Sequence, residues 1–556
     1  MDIKKIKSTL NLIEKDIGNT SAEKLVSTQK NLLNIIESLV EKVEEQTKTI
    51  QNLKDEVNKL KGEQGTPKFG KNKQDKDVSS EKERRGQKQK NTRKKKSKKK
   101  SKIKIDRKIK REVDKSVLPD DAIFKGYQKN VVQDLTIKTD NIVFEKEVFY
   151  SPSLKKTYIA EVPPGYEGQF GPGIKSIVLS FSHDSKLSQP ALARFFRTFG
   201  IYISSGTISK MLIDDKNVGQ FHQEKEKIVA AGLQMPYQNI DDTGSKVNGK
   251  NCYTHILCNP LYSAYFTTPR KNRLTVLNIL CQNDLRFVLN EETYELMRCL
   301  GLADKHLDRI ISIGAKGEYT KKALNVIINE ILPNPKKRKK VKRIITEACA
   351  IAGFHNLNTK IKALICDDAP QFKHLLDIAL CWVHEGRHYK KLNPILQIHK
   401  KEQEVFLEKF WNYYRKLLDY RTNSSEVYAE KLLNEFDRLF STKTEYSKLD
   451  VCIESTLKKK ASLLLVLKHP AIPLHNNAAE LGARAEKRKS DVSLQTKNKK
   501  GTNAKNTFMT IVQTAIKLSV NIYHYIYDRI TKKFEMPSLA ELITKNNLQG
   551  NVVYES

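Results

Sequence analysis

Two apolar runs in this chain end in paired aspartates. One is Tyr237-Gln238-Asn239-Ile240-Asp241-Asp242-Thr243-Gly244, and the other is Ala363-Leu364-Ile365-Cys366-Asp367-Asp368-Ala369-Pro370-Gln371-Phe372. Each has a short apolar lead-in, two carboxylates and then turn-forming residues, the pattern of a buried strand that delivers acid to its end. A third acid, Glu480, follows His475-Asn476-Asn477-Ala478-Ala479 one turn into a helix, with Arg484 on the next turn and Lys487-Arg488-Lys489 beyond it. Two Asp and a Glu make an all-oxygen ligand set of the kind magnesium or manganese takes. Two such ions activate a water or a 3′ hydroxyl on one side of a phosphate and stabilise the leaving oxygen on the other. Taken singly, each feature has a plainer use: Asn before a helix and Glu in its first turn are ordinary capping chemistry, and an Asp pair suits a turn. The combination with charge carries the weight.

Across 556 residues Lys and Arg number 100 against 64 Asp and Glu, a net +36 that calls for a polyanionic partner, nucleic acid before anionic membrane. No apolar run approaches the roughly 20 residues of a spanning helix, and residues 1–18 lack the apolar core and cleavage site of a leader. These features predict a soluble, cytoplasmic protein. The eight cysteines, none before Cys252 and none at framework spacing, read as reduced thiols. Cys381, His384 and His388 have zinc-ligand types but no partner pair nearby, so zinc is not expected.

The elements that must position these acids follow in order. Ile36, Val43, Ile50 and Val57 recur every seventh residue, with Leu32, Leu39, Leu53 and Leu60 between them and Gln46 as the polar substitute. Beta-branched residues alternating with Leu favour a parallel two-stranded coiled coil, assigned to 1–64, and a homodimer or higher oligomer. Residues 65–115 read as a disordered basic linker: from Thr66 to Glu112 there are 22 Lys or Arg against 6 Asp or Glu. Residues 116–162 form a small strand-rich region, alternating from about Asn141 to Val162. Within 163–232, helical patterns at Pro190–Phe199 and Ser205–Ile213 flank Gly200, a spacing that fits a helix-turn-helix with Thr207, Ser209 and Lys210 facing DNA. From 233 to 535 the pattern is α/β. The Asp241 strand is followed by strands over Cys252–Cys258 and Tyr262–Thr268, resembling the opening of a ribonuclease-H-like mixed sheet. Helical insertions are expected at about 270–360 and 390–470. The aromatic stripe Phe406, Phe410, Trp411, Tyr414, Leu417 and Leu418 in the second has core spacing. Residues 536–556 are read as a tail.

From about Val162 to Ile526 the chain resembles the large transposase of the insertion sequence 66 family, a bacterial DDE transposase. The resemblance rests on Pro163-Pro164-Gly165 with Phe170-Gly171-Pro172, on Asp241-Asp242-Thr243 where the family has Asp-Glu-Thr, and on Asp367 with Phe372 five residues on. It rests also on Cys381-Trp382-Val383-His384-Glu385-Gly386-Arg387, similar to Cys-Trp-Ala-His-x-x-Arg, and on Asn476-Asn477-Ala478-Ala479-Glu480 with Arg484 and Arg488-Lys489.

The resemblance implies Asp241, Asp367 and Glu480 as catalytic, metal-binding residues for two magnesium or manganese ions; strand alternation lets only one of each Asp pair face them. It implies cleavage at element ends and joining of a 3′ hydroxyl to target DNA. The partners would be terminal inverted repeats and target DNA, with accessory transposition proteins as further candidates and a nucleoid-associated location. His384, Arg387, Arg484, Arg488 and Lys489 become candidate DNA contacts. The chain departs from the family in three places: no cysteine stands in the four-cysteine zinc-finger region, Arg270 to Lys360 is long, and Asp368 replaces Gly. The alternatives are a nuclease of the same fold without strand transfer and a catalytically inactive DNA-binding or assembly protein.

Overall fold

The computed structural model describes residues 22–60, 105–114, 118–119, 122–332, 338–357 and 359–549. Most of the basic linker, including 93–100, lies outside these residues, as do 1–21 and 61–64 of the segment assigned to the coiled coil. What is described of that segment is a single helix, α1 (Ala22–Leu60). Its Glu37 side chain is 2% exposed and takes hydrogen bonds from His399 and the Ile395 backbone amide. Asn34 bonds the carbonyl of Glu445 and the amide of Ser447, and Glu41 pairs with Lys448. This polar edge docks α1 on the second helical insertion and leaves Ile36, Leu39, Val43, Ile50, Leu53 and Val57 exposed.

Among the described residues of the strand-rich region, Val148–Ser151 (β1) and Lys156–Ile159 (β2) pair, antiparallel. Then come α2 (Pro172–His183), α3 (Gln189–Arg197), α4 (Ser205–Ile213) and α5 (Asp215–Gly232). Ser188, Ser204 and Asp214 each cap the following helix by accepting a backbone amide. Gly200, at φ +75, makes the turn between α3 and α4 that a side chain would strain. Ile208, Met211 and Leu212 are buried while Lys210 is exposed, so the helix pair forms where its spacing predicts.

The centre is a five-stranded mixed sheet of β3 (Tyr237–Val247), β4 (Lys250–Asn259), β5 (Tyr262–Thr268), β8 (Ala363–Cys366) and β9 (Asp377–Leu380), in the order β5-β4-β3-β8-β9. The hairpin-linked strands β3, β4 and β5 pair antiparallel; β3 with β8 and β8 with β9 pair parallel. Parallel pairing needs a crossover, and the long 270–360 segment supplies it. That segment holds α6 (Arg273–Leu280), α7 (Glu291–Cys299), α8 (Asp304–Ser312), α9 (Lys321–Ile331) and α10 (Lys339–His355). It is not wholly helical: β6 (Phe287–Leu289) pairs with β7 (Gly317–Tyr319). Leu364 and Cys366 of β8 join the large core on one face, Ala363 and Ile365 a smaller cluster on the other. Coverage on both faces explains the uninterrupted apolar run of a parallel strand.

After β9 come α11 (Trp382–Lys390) and the insertion helices α12 (Gln397–Tyr420), α13 (Glu426–Phe440) and α14 (Ser447–Leu457). Their aromatic stripe forms a core of its own around the fully buried Trp382. The chain returns to the sheet as α15 (Asn477–Ser493) and α16 (Lys499–Lys517) and ends in α17 (Ile522–Ile530) and α18 (Leu539–Leu548). The described part of the segment read as a tail, 536–549, is folded: Leu539 and Ile543 of α18 are buried in the large core. Among the described residues no helix is long and apolar enough to cross a membrane.

Candidate active site

The sheet sets Asp241 and Asp367 near one another because the parallel strands β3 and β8 are neighbours, with Asn239 opposite Ile365. Asp241 lies two residues beyond Asn239, and Asp367 two beyond Ile365. The paired aspartates have divided their roles. Asp242 takes Lys271 Nζ at 3.1 Å and Gln371 Nε2 at 3.2 Å. Asp368 takes Lys373 and Lys459, each at 3.2 Å, and Lys459 also holds the buried Glu385 at 3.0 Å. Among the described residues Asp241 instead accepts the amide of Asp242, at 2.8 Å, and Asp367 that of Ala369, at 3.2 Å. Among the described residues neither Asp241 nor Asp367 has an ion-pair partner. Burial, and then repulsion from Asp367, Asp242 and Glu480, pushes the Asp241 carboxyl up to about 7 against the pull of its amide hydrogen bond.

The third acid is placed by α15. Asn476 precedes this helix, but its side chain does not cap it. It is buried and clamps the helix to β3, with Nδ2 donating to the carbonyl of Ile240 at 2.8 Å and Oδ1 accepting from Asn239 at 2.9 Å. Its backbone amide donates to Cys381 Sγ at 3.2 Å. The Asn-Asn doublet was the signal for this clamp, and ordinary capping is the wrong assignment for Asn476. One turn on, Gly482 lets α15 lie against the sheet: a Cβ there would stand 2.7 Å from Ile256 Cγ2 and 3.2 Å from Tyr265 Oη.

Glu480 thereby meets three basic side chains named from the sequence. His384 Nε2 is 3.5 Å away, Arg387 3.2 Å and Arg484 3.8 Å. Burial pulls the His384 imidazole below its ordinary value, opposed by the Glu480 charge. Among the described residues, the three metal-ligating side chains whose donor atoms lie within 4.8 Å of one another are Cys381, His384 and Glu480. Of the zinc-type residues singled out in the sequence, His388 turns away and pairs with Glu385 at 3.6 Å. Asp241, Asp367 and Glu480 do not bring donor atoms that close together; Asp241 and Asp367 are half-buried carboxylates with no ion-pair partner among the described residues, the oxygen-donor type a hard divalent ion takes.

The remaining candidates scatter. Lys210 and Arg488 are exposed, and Thr207 is partly occupied with the Ser204 cap. Ser209 faces a cleft between α4 and α15. Lys489 is not a free surface cation: it is 6% exposed and donates to Ser182 O at 2.6 Å and Ser182 Oγ at 3.2 Å. Sequence reasoning missed Lys271, Lys373 and Lys459, which neutralise the second aspartate of each pair, and Gln371, which donates a hydrogen bond to Asp242; a single Lys or Gln in a lysine-rich chain carries no local signal of its partner.

Residues 353–504, a stretch that includes Asp367, α11, the helical insertion and Glu480, match the family described as "Transposase IS66 family". The chain is also similar to "Uncharacterized protein y4jO" of Sinorhizobium fredii (strain NBRC 101917 / NGR234), 28% identical over 307 residues, which is 54% of this chain and 94% of that protein.

Proposed function

We propose that this chain, which matches the family described as "Transposase IS66 family" over residues 353–504, is a transposase that cuts DNA at the ends of an insertion sequence and joins the freed 3′ hydroxyl to target DNA. The observation that carries the proposal is the division of labour within the acid pairs. Asp242 and Asp368 are neutralised by lysines, while Asp241 and Asp367, at neighbouring strand ends, have no ion-pair partner among the described residues, and Asp241 feels the charge of Glu480. The sheet order, three antiparallel strands followed by two parallel ones, supports a ribonuclease-H-like reading of the catalytic domain.

In this reading Asp241, Asp367 and Glu480 hold two magnesium or manganese ions. Bound there, the ions would polarise the scissile phosphate and lower the pKa of the attacking water or hydroxyl. The chain's own groups do the positioning. Asn476 and Gly482 fix the path of α15, and Arg387, Arg484 and His384 hold the Glu480 carboxylate and offer positive charge for a phosphate. The α3–α4 pair and the basic linker bind DNA, and the exposed heptad of α1 joins two copies.

The test is magnesium- or manganese-dependent cleavage and joining of a labelled duplex carrying the element's terminal repeats, with wild type beside Asp241→Ala, Asp367→Ala and Glu480→Ala. Loss of both steps in all three, with DNA retention unchanged, is the expected result. Cleavage without joining by wild type would make the protein a nuclease. Retention with neither step under any metal would make it a DNA-binding protein only.

A further inference from the structure

Beyond the acid centre, α15 runs into a cleft of about 580 Å³ between the helix pair and the catalytic domain. One wall is Ser182, His183, Ser188 and Ser209 from α2, α4 and the loop before α3; the other is the end of α15, the start of α16 and the end of β3. The lining contains four lysines, Lys246, Lys489, Lys497 and Lys505, and no carboxylate. Behind it, the buried Glu486 pairs with Lys505 and meets part of this charge. Lys489 is tied to Ser182, whereas Lys246 and Lys497 are exposed at the mouth and form no ion pair among the described residues. The starts of α3 and α16 open onto the same space, and neither helix has an acidic residue in its first turn.

The interior registers this surplus. Burial, and then Lys489, Lys505 and Lys186, push the His183 imidazole down to about 3. Lys489 itself is pushed down to about 8 by burial, with Lys186 and Lys505 adding repulsion against the pull of Glu486. Ammonium groups, serine and threonine hydroxyls and helix N-termini around one cleft are the chemistry of phosphate binding. An acidic peptide would meet the same charge, but the cleft's position favours DNA. From Glu480 to Lys489 is nine residues of one helix, about 14 Å, or roughly four base-pair steps of a duplex strand.

We propose that this cleft holds the phosphodiester backbone of the DNA strand that leaves the acid centre, with Lys246 and Lys497 as its contacts at the mouth. The proposal rests on the DNA-acting reading above and adds a second site to it.

The experiment measures binding of the full-length chain to a labelled 30-base-pair duplex over a range of salt concentrations, without divalent metal. Wild type is compared with Lys246→Ala/Lys497→Ala and with Lys321→Ala/Lys322→Ala on α9, an exposed control pair. Removing two phosphate contacts should lower the slope of log K against log salt by about two. The control pair should leave the slope unchanged. Equal behaviour of wild type and the cleft variant, or equal loss in the control, overturns the cleft but not the DNA-acting reading. Failure of wild type to retain DNA overturns that reading as well. Isothermal titration with inorganic phosphate and with a deoxynucleoside monophosphate completes the test. Small-anion binding that the cleft variant loses while its DNA slope is unchanged makes the cleft a small-anion site and overturns the strand path.

Discussion

Two regions strung on one helix, α15, carry opposite charge deficits. Near its start, Asp241 and Asp367 at neighbouring strand ends have no ion-pair partner among the described residues, and Asp241 feels the charge of Glu480. Along its later turns, Lys489, Lys505 and Lys246 line a cleft that contains no carboxylate. A folded chain ordinarily pairs buried charge, because an unpaired ion out of water costs several kcal/mol. Here pairing is carried out next door in both places: lysines neutralise Asp242 and Asp368, and Glu486 neutralises Lys505. The residues left over are therefore selected rather than random. Glu480 has basic partners, so the shortfall of positive charge lies at Asp241 and Asp367, where it suits metal ions, and a shortfall of negative charge among lysines and hydroxyls suits phosphates.

The sharpest way to break this comparison is inside the acid pairs. Asp241→Asn and Asp367→Asn should lower metal-dependent cleavage on the order of 10³-fold or more, since each removes an anionic ligand from the proposed metal site. Asp242→Asn and Asp368→Asn should cost about tenfold or less, because those carboxylates answer lysines. Single-turnover cleavage rates for the four variants check this. Equal losses within each pair would mean that the lysine contacts do not mark the idle partner.

A smaller effect is expected where α15 is fixed to the sheet. Asn476→Ala leaves Asn239 Nδ2 and the carbonyl of Ile240 without the partner that now bridges them, at about 1–3 kcal/mol for each buried group left unsatisfied. Gly482→Ala forces a methyl against Ile256, at about 1–3 kcal/mol of overpacking. Both should lower the denaturant midpoint and slow cleavage, while duplex binding through exposed lysines should change little. A normal cleavage rate in Asn476→Ala would remove the clamp from the account of how Glu480 is placed.

How legible this was in the sequence depends on the range of each interaction. The strands before Asp241 and Asp367, the α3–α4 pair around Gly200 and the aromatic core of the insertion all announce themselves within ten or twenty residues, because strand and helix periods are local. The Arg387 and His384 contacts to Glu480 join residues more than ninety positions apart, and Lys459 reaches Asp368 across the whole insertion. No spacing rule links such residues. Lys489 illustrates the same limit: within its basic run it looks like a surface cation, yet it is buried and donates to Ser182, some three hundred positions away. The exposed heptad of α1 is the converse, since its period was plain while the Glu37 edge that docks it on the insertion was not.

The smallest predicted effect tests the cleft through stability rather than binding. Lys489 titrates near 8 in the folded chain against the ordinary 10.5, so between these values the unfolded chain binds more protons than the folded one. Stability conferred at this position therefore rises with pH from about 8 to 10.5, and below 8 the buried ammonium is a full burden of up to about 3 kcal/mol. Glu486 lightens it, Lys186 and Lys505 add to it, and the Ser182 hydrogen bonds hold the ammonium in place. Lys489→Met removes the titration, so its stability relative to wild type should be highest near pH 7 and decline as pH rises to 10. Buried tyrosines titrate alike in both proteins and cancel in the difference. Urea midpoints at pH 7, 8.5 and 10 check the sign. A difference independent of pH would mean that Lys489 meets its charge fully within the chain, and the positive surplus assigned to the cleft would then shrink to its rim.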